Sequence, residues 1–135
     1  MWGGVAVNII RYDRATDRVF IRCSGYWTLT EAEEFREKIR AVCWAAEMSG
    51  RSMSILWNMI DYVPQGAEIR MVNMQTFALL GGAAIDRFAL VVPSALARSQ
   101  MRRQISRLDC QFFTEREPAI QWLGWTERMP IDCPA

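Results

Sequence analysis

Four side chains able to do chemistry crowd into one stretch, ILWNMIDYVPQGAEI (55–69): Asn58, Asp61, Gln65 and Glu68. Asp61 or Glu68 could do acid–base work in an enzyme, and the four together could form a polar rim for a ligand. SGYWT (24–28) and VPSA (92–95) add Tyr26, Trp27 and Ser94 if all three segments are strand ends. Open α/β sheets bind ligands outside the carboxyl ends of their strands. The simpler reading gives Asp61 and Gln65 local hydrogen bonds in a turn and a helix cap.

Other catalytic arrangements lack a part. The chain has no histidine, so the usual serine and cysteine nucleophiles have no general base. The single lysine, Lys38, falls on the polar side of a helix and is a poor desolvated base. Cys23, Cys43, Cys110 and Cys133 are scattered with no C-x-x-C pair, which argues against a metal site and for a reducing cytoplasm. Cys23 and Cys43 read as core fillers. LLGGAAI (79–85) follows a helix and carries no phosphate-binding lysine, so Gly81 and Gly82 read as a helix stop. Neither a cofactor nor a metal is expected, and the chain is read as a non-enzyme.

The elements that would position the candidate rim follow from periodicity. VAVNII (5–10) reads as a first strand. RVFIRCSG alternates Val19, Ile21 and Cys23 against Arg18, Phe20, Arg22 and Ser24, the pattern of a half-buried strand. A helix follows, with Thr30 and Glu33 as its expected capping box, Phe35, Ile39, Val42 and Ala46 as its inward stripe, and Gly50 as its stop. Residues 52–59 and 88–93 read as further strands, helices are expected at about 66–80 and 95–108, and QFF (111–113) and EPAIQWLGW (117–125) supply a last strand and helix. The strands 19–24, 53–59 and 88–93 should be parallel and central, because helix-length crossovers join them.

The helix at 66–80 is apolar nearly all round. Ile69, Val72, Thr76 and Leu80 make one stripe and Met71, Met74 and Ala78 another on the opposite side. Such a helix is either buried or covered by a partner. A one-sided sheet is hard to close over both stripes, so the second is expected to be a protein interface, possible for a homodimer. The competing expectation is a carrier of a small apolar, lipid-like ligand, with Trp27, Trp57 and methionines around an enclosed cavity. The helix holding RSQMRRQISR, with Arg98, Arg102, Arg103 and Arg107, reads as a solvated face before a phosphate or acidic-partner site.

Charge and length narrow the partners. The 16 basic and 15 acidic residues nearly cancel, which speaks against nucleic acid. No run approaches the roughly 18 apolar residues of a membrane span, and no signal peptide is evident. The 135 residues fit one domain with a core over about 5–125 and an irregular tail at 126–135.

The order β-β-α-β-α-β-α-β-α, with ALVVPSALARSQMRRQISRL followed by FFTEREPAIQWL, resembles the STAS superfamily: bacterial anti-sigma-factor antagonists, the cytoplasmic domains of sulfate transporters, and a group of small bacterial STAS-like proteins. The resemblance implies an α/β fold with a mixed four- to five-stranded sheet, helices mainly on one face, and a regulatory role through protein contacts. In the antagonists an Asp-Ser-Ser/Thr-Gly turn after the strand is phosphorylated, and the added charge breaks the partner interface. Here that turn is DYVPQGAEI, with no serine or threonine, so no residue inherits the acceptor role.

Overall fold

The computed structural model describes residues 7–105 and 108–125. The expected strand over 5–10 and the tail 126–135 therefore fall partly and wholly outside the described residues, as do Arg107 and Cys133.

Strand β1 (Val7–Asp13) turns back antiparallel onto β2 (Arg18–Ser24). The Asp13 carboxylate closes the turn by accepting from the Ala15 N–H (3.1 Å) and the Thr16 hydroxyl (2.8 Å). Asp17 takes the left-handed φ of 57°, which aspartate tolerates better than most residues. Arg51 fixes the hairpin to the next loop, donating to Asp17 (2.6 Å) and to the Arg14 carbonyl (2.9 Å).

Helix α1 (Leu29–Ser49) starts earlier than the sequence suggests. Its capping box is Thr28 with Glu31, not Thr30 with Glu33: the Glu31 N–H donates to Thr28 Oγ1 (3.1 Å) and the Thr28 N–H to Glu31 Oε1 (2.8 Å). Thr28 is the last extended residue of the connection, so the free N–H groups of the first turn meet its hydroxyl first. Phe35, Ile39 and Ala46 are buried, and Gly50 ends the helix at φ 72°, where a side chain is disfavoured.

Three more strand–helix units follow: β3 (Met53–Asn58) with α2 (Ala67–Gly81), β4 (Ile85–Val91) with α3 (Ala95–Gln104), and β5 (Gln111–Phe113) with α4 (Arg116–Leu123). The sheet order is β1-β2-β3-β4-β5, with β2 to β5 parallel. Space order follows chain order, so crossovers of a single hand place α1, α2 and α3 on one face. Helix α3 ends at Gln104, four residues before the expected end.

The core has two layers. Under α1–α3, Val19, Ile21 and Cys23 of β2 pack with Ile55 and Trp57 of β3 and Phe88 and Leu90 of β4. On the opposite face α4 and Trp125 cover Phe20, Leu56, Ala89 and Val91. On β2 of that face Arg18 and Arg22 remain half-buried; the Arg18 guanidinium lies 5.4 Å from the Trp125 ring. Phe20 therefore shares a face with arginines yet is fully buried, because the last helix returns over it. No helix among the described residues is long and apolar enough to cross a membrane.

Candidate functional site

The β3–α2 turn lies where parallel β2, β3 and β4 end. Asn58 Oδ1 accepts from the Ile60 N–H (3.0 Å) and shapes the turn. Asp61 pairs with Arg22 (3.1 Å) at an exposed site, and its carbonyl accepts from the Gly25 N–H (3.3 Å). Ser94 caps α3, accepting from the Ala97 N–H (3.1 Å). Glu68 is exposed in the first turn of α2, favourably placed at the positive helix end. Tyr26 is exposed, whereas the neighbouring Trp27 is buried.

Gln65 joins these loops. It is 5% exposed. Its Nε2 donates to the carbonyls of Gly25 (3.0 Å) and Val63 (2.7 Å), and its Oε1 accepts from the Trp27 N–H (2.9 Å). One amide thus clasps the β2–α1 connection to the β3–α2 turn and satisfies backbone groups that neither loop pairs by itself. Beneath it the Tyr62 hydroxyl accepts from Asn73 Nδ2 (2.8 Å), and burial pushes the phenol's pKa well up. Of the predicted rim, Asn58, Asp61, Gln65 and Ser94 are engaged in holding the loops.

The aromatic side chains below the turn fill the space that an enclosed carrier cavity would need. Trp27 meets Phe35 edge-on at 5.0 Å and Tyr62 at 5.8 Å; Trp57 lies 5.5 Å from Phe35 and 5.2 Å from Phe77. The void left among Trp27, Trp57 and Phe77 measures 10 Å³, room for about one water. A larger cleft of 390 Å³ opens beside it between α2 and α3. Gln65 is the one predicted rim residue that lines it.

The outer face of the helical layer differs in character. Met71 and Met74 are 65% and 52% exposed, and Ala78 is exposed with them. Helix α1 carries a second outward stripe that the sequence reading passed over: Ala41, Trp44 and Met48, with Trp44 and Met48 63% and 62% exposed. Its signal was available in the i, i+3, i+7 spacing opposite Phe35, Ile39, Val42 and Ala46. The Arg36 to Gln75 hydrogen bond (2.7 Å) ties the two helices together, so both stripes ride on one packed layer.

Among the described residues no group of three or more His, Cys, Asp or Glu side chains converges to hold a metal. Cys23, Cys43 and Cys110 are free thiols. Burial raises all three pKa values, that of Cys110 to about 11, which leaves weak nucleophiles.

No protein-family model matches this chain, and no curated protein does. Solved structures do. A protein of the DUF3478 family with a SpoIIAA-like fold from Shewanella loihica superposes with a TM-score of 0.66 at 16% identity, covering 91% of this chain and 98% of the other. The fold is SpoIIAA-like. An anti-sigma factor antagonist from Mycobacterium paratuberculosis gives a TM-score of 0.59 at 12% identity, covering 89% and 95%. The STAS-like architecture expected from element order is thus the architecture observed. Within this SpoIIAA-like fold the β3–α2 turn offers one side-chain hydroxyl, that of Tyr62, which is partly buried and bonded to Asn73.

Proposed function

We propose that this chain is a non-enzymatic regulatory module that acts by protein contact, self-associates through the outer face of α1 and α2, and does not use a phosphorylated hydroxyl in the β3–α2 turn. One observation carries the reading: two apolar stripes, Met71–Met74–Ala78 and Ala41–Trp44–Met48, point away from the core on adjacent helices. Single exposed apolar side chains are ordinary on a soluble protein, but adjoining stripes at helical spacing mark an interaction surface. Methionine suits such a surface because its flexible, polarizable side chain adapts to what it meets.

Magnitudes support the assignment. Burying each large side chain contributes roughly 1.5–3 kcal/mol, so a patch of four can offset an association cost on the order of 4–15 kcal/mol. The likeness to an anti-sigma factor antagonist supports a role in protein contact. The free thiols favour a reducing, cytoplasmic setting.

The test is the mass in solution. Replacing Met71 and Met74 together by Glu should convert a dimer to a monomer in light scattering and leave the circular dichroism spectrum intact, since both side chains are exposed. A parent already monomeric at high concentration removes self-association from the proposal. Phosphate found on Tyr62 after incubation with a cognate kinase would overturn the claim about the turn.

A further inference from the structure

We propose that the cleft between α2 and α3 is a binding site for a small amphiphilic carboxylate, with the carboxylate at the mouth and an aliphatic body inside. The cleft lies at the C-terminal ends of β3 and β4, where open parallel sheets receive ligands. Its 390 Å³ falls at the small end of the range of roughly 300–1,000 Å³ for ligand pockets.

Its chemistry divides cleanly. Met59, Val92, Ala97 and Met101 form an apolar interior, and Pro64 and Pro93 stiffen the loops at its edge. Two cations, Arg70 and Arg103, stand in the lining and no carboxylate does. Arg70 is oriented from behind, donating through one terminal nitrogen to the Gln65 carbonyl (2.9 Å), which leaves the rest of its planar fork for an anion. Neither guanidinium forms an ion pair among the described residues. The positive lining calls for an anionic group, and the apolar interior for a body without further charge.

A second observation lies behind the inner wall. The 10 Å³ void shares Met59, Tyr62 and Met101 with the cleft, and the buried Trp27 Nε1–H on its border has no acceptor among the described residues. A buried donor without a partner is costly. The void and the cleft have these three side chains in common, and two of them are flexible methionines. The site uses no residue of the outward stripes on α1 and α2, so it stands or falls independently of self-association.

Isothermal titration of the full chain with decanoate, below the concentration at which it forms micelles, tests the site against decanol and acetate. The expected result is one decanoate per chain, with decanol at least about tenfold weaker and acetate weaker still. Arg103→Gln, on the exposed side of α3, should weaken decanoate severalfold without changing the melting temperature, and adding Arg70→Gln should bring decanoate down to the level of decanol. Ala97→Phe, which fills the interior, should abolish binding of both long-chain probes. No binding of decanoate, equal binding of decanoate and decanol, or unchanged decanoate affinity in a folded Arg103→Gln chain would overturn the proposal.

Discussion

The β3–α2 turn and the outer face of α1 and α2 exchange the roles their residue types suggest. The turn collects Asn58, Asp61 and Gln65, polar side chains of the kind that active sites use, and directs them into its own backbone and neighbours. The helix face collects Trp44, Met48, Met71 and Met74, apolar side chains of the kind that cores use, and leaves them in solvent. Polarity by itself does not mark function. What distinguishes the two regions is whether each side chain's bonding capacity is already spent inside the chain.

The largest effect that separates them is on stability. Gln65→Leu removes both sides of the clasp and leaves the Trp27 N–H and the Gly25 carbonyl without their partner. At roughly 1–3 kcal/mol for a buried group left unsatisfied, chemical denaturation should report a loss of about 2–4 kcal/mol. Glu68→Gln, one helical turn away and exposed, should stay within about 0.5 kcal/mol. Equal effects would mean that the turn is not a clasp.

Tyr62→Phe probes the same region more gently. The Asn73 amide would lose its acceptor while the edge-on ring contact with Trp27 remains, for a loss of about 1–2 kcal/mol. Met71→Ala on the outer face should leave the monomer's stability within about 0.5 kcal/mol. A larger loss there would place Met71 in the core.

A pH series gives a smaller signal from beneath both regions. Burial raises the Cys23 thiol's pKa far above its ordinary 9.0. The folded state keeps the proton that the unfolded state releases, so the stabilisation is complete below about pH 9 and declines as pH rises toward the folded value. The slope for this thiol should approach about 1.4 kcal/mol per pH unit, and Cys23→Ala should make the decline shallower. Cys110, raised to about 11, contributes in the narrower window between 9.0 and that value. An identical slope in wild type and Cys23→Ala would remove Cys23 as the source.

Much of the fold was legible because it is local. Alternation in RVFIRCSG, the apolar run FALVV and the stop at Gly50 each depend on neighbours within a few residues, and the structure has them as strand, buried strand and left-handed cap. The two stripes of α2 were legible for the same reason. The clasp was not, because the amide of Gln65 meets partners 38 and 40 residues away, and periodicity carries no record of such a meeting. Phe20 was misleading in the same way: its face was readable, but its burial depends on α4 and Trp125 about a hundred residues later. The α2–α3 cleft likewise draws its lining from two loops and two helices.

If the outward methionines form the contact surface, their rate of oxidation must fall as the chain associates. Hydrogen peroxide converts accessible methionine to its sulfoxide, and peptide mass spectrometry resolves the sites. In dilute solution Met48, Met71 and Met74 should oxidise readily, while buried Met53 and Met59 should not. On concentrating the protein, Met48, Met71 and Met74 should become protected together, with Met53 and Met59 unchanged. Equal oxidation of Met71 and Met74 at every concentration, up to that at which the chain is fully associated, would rule out these methionines as the contact surface.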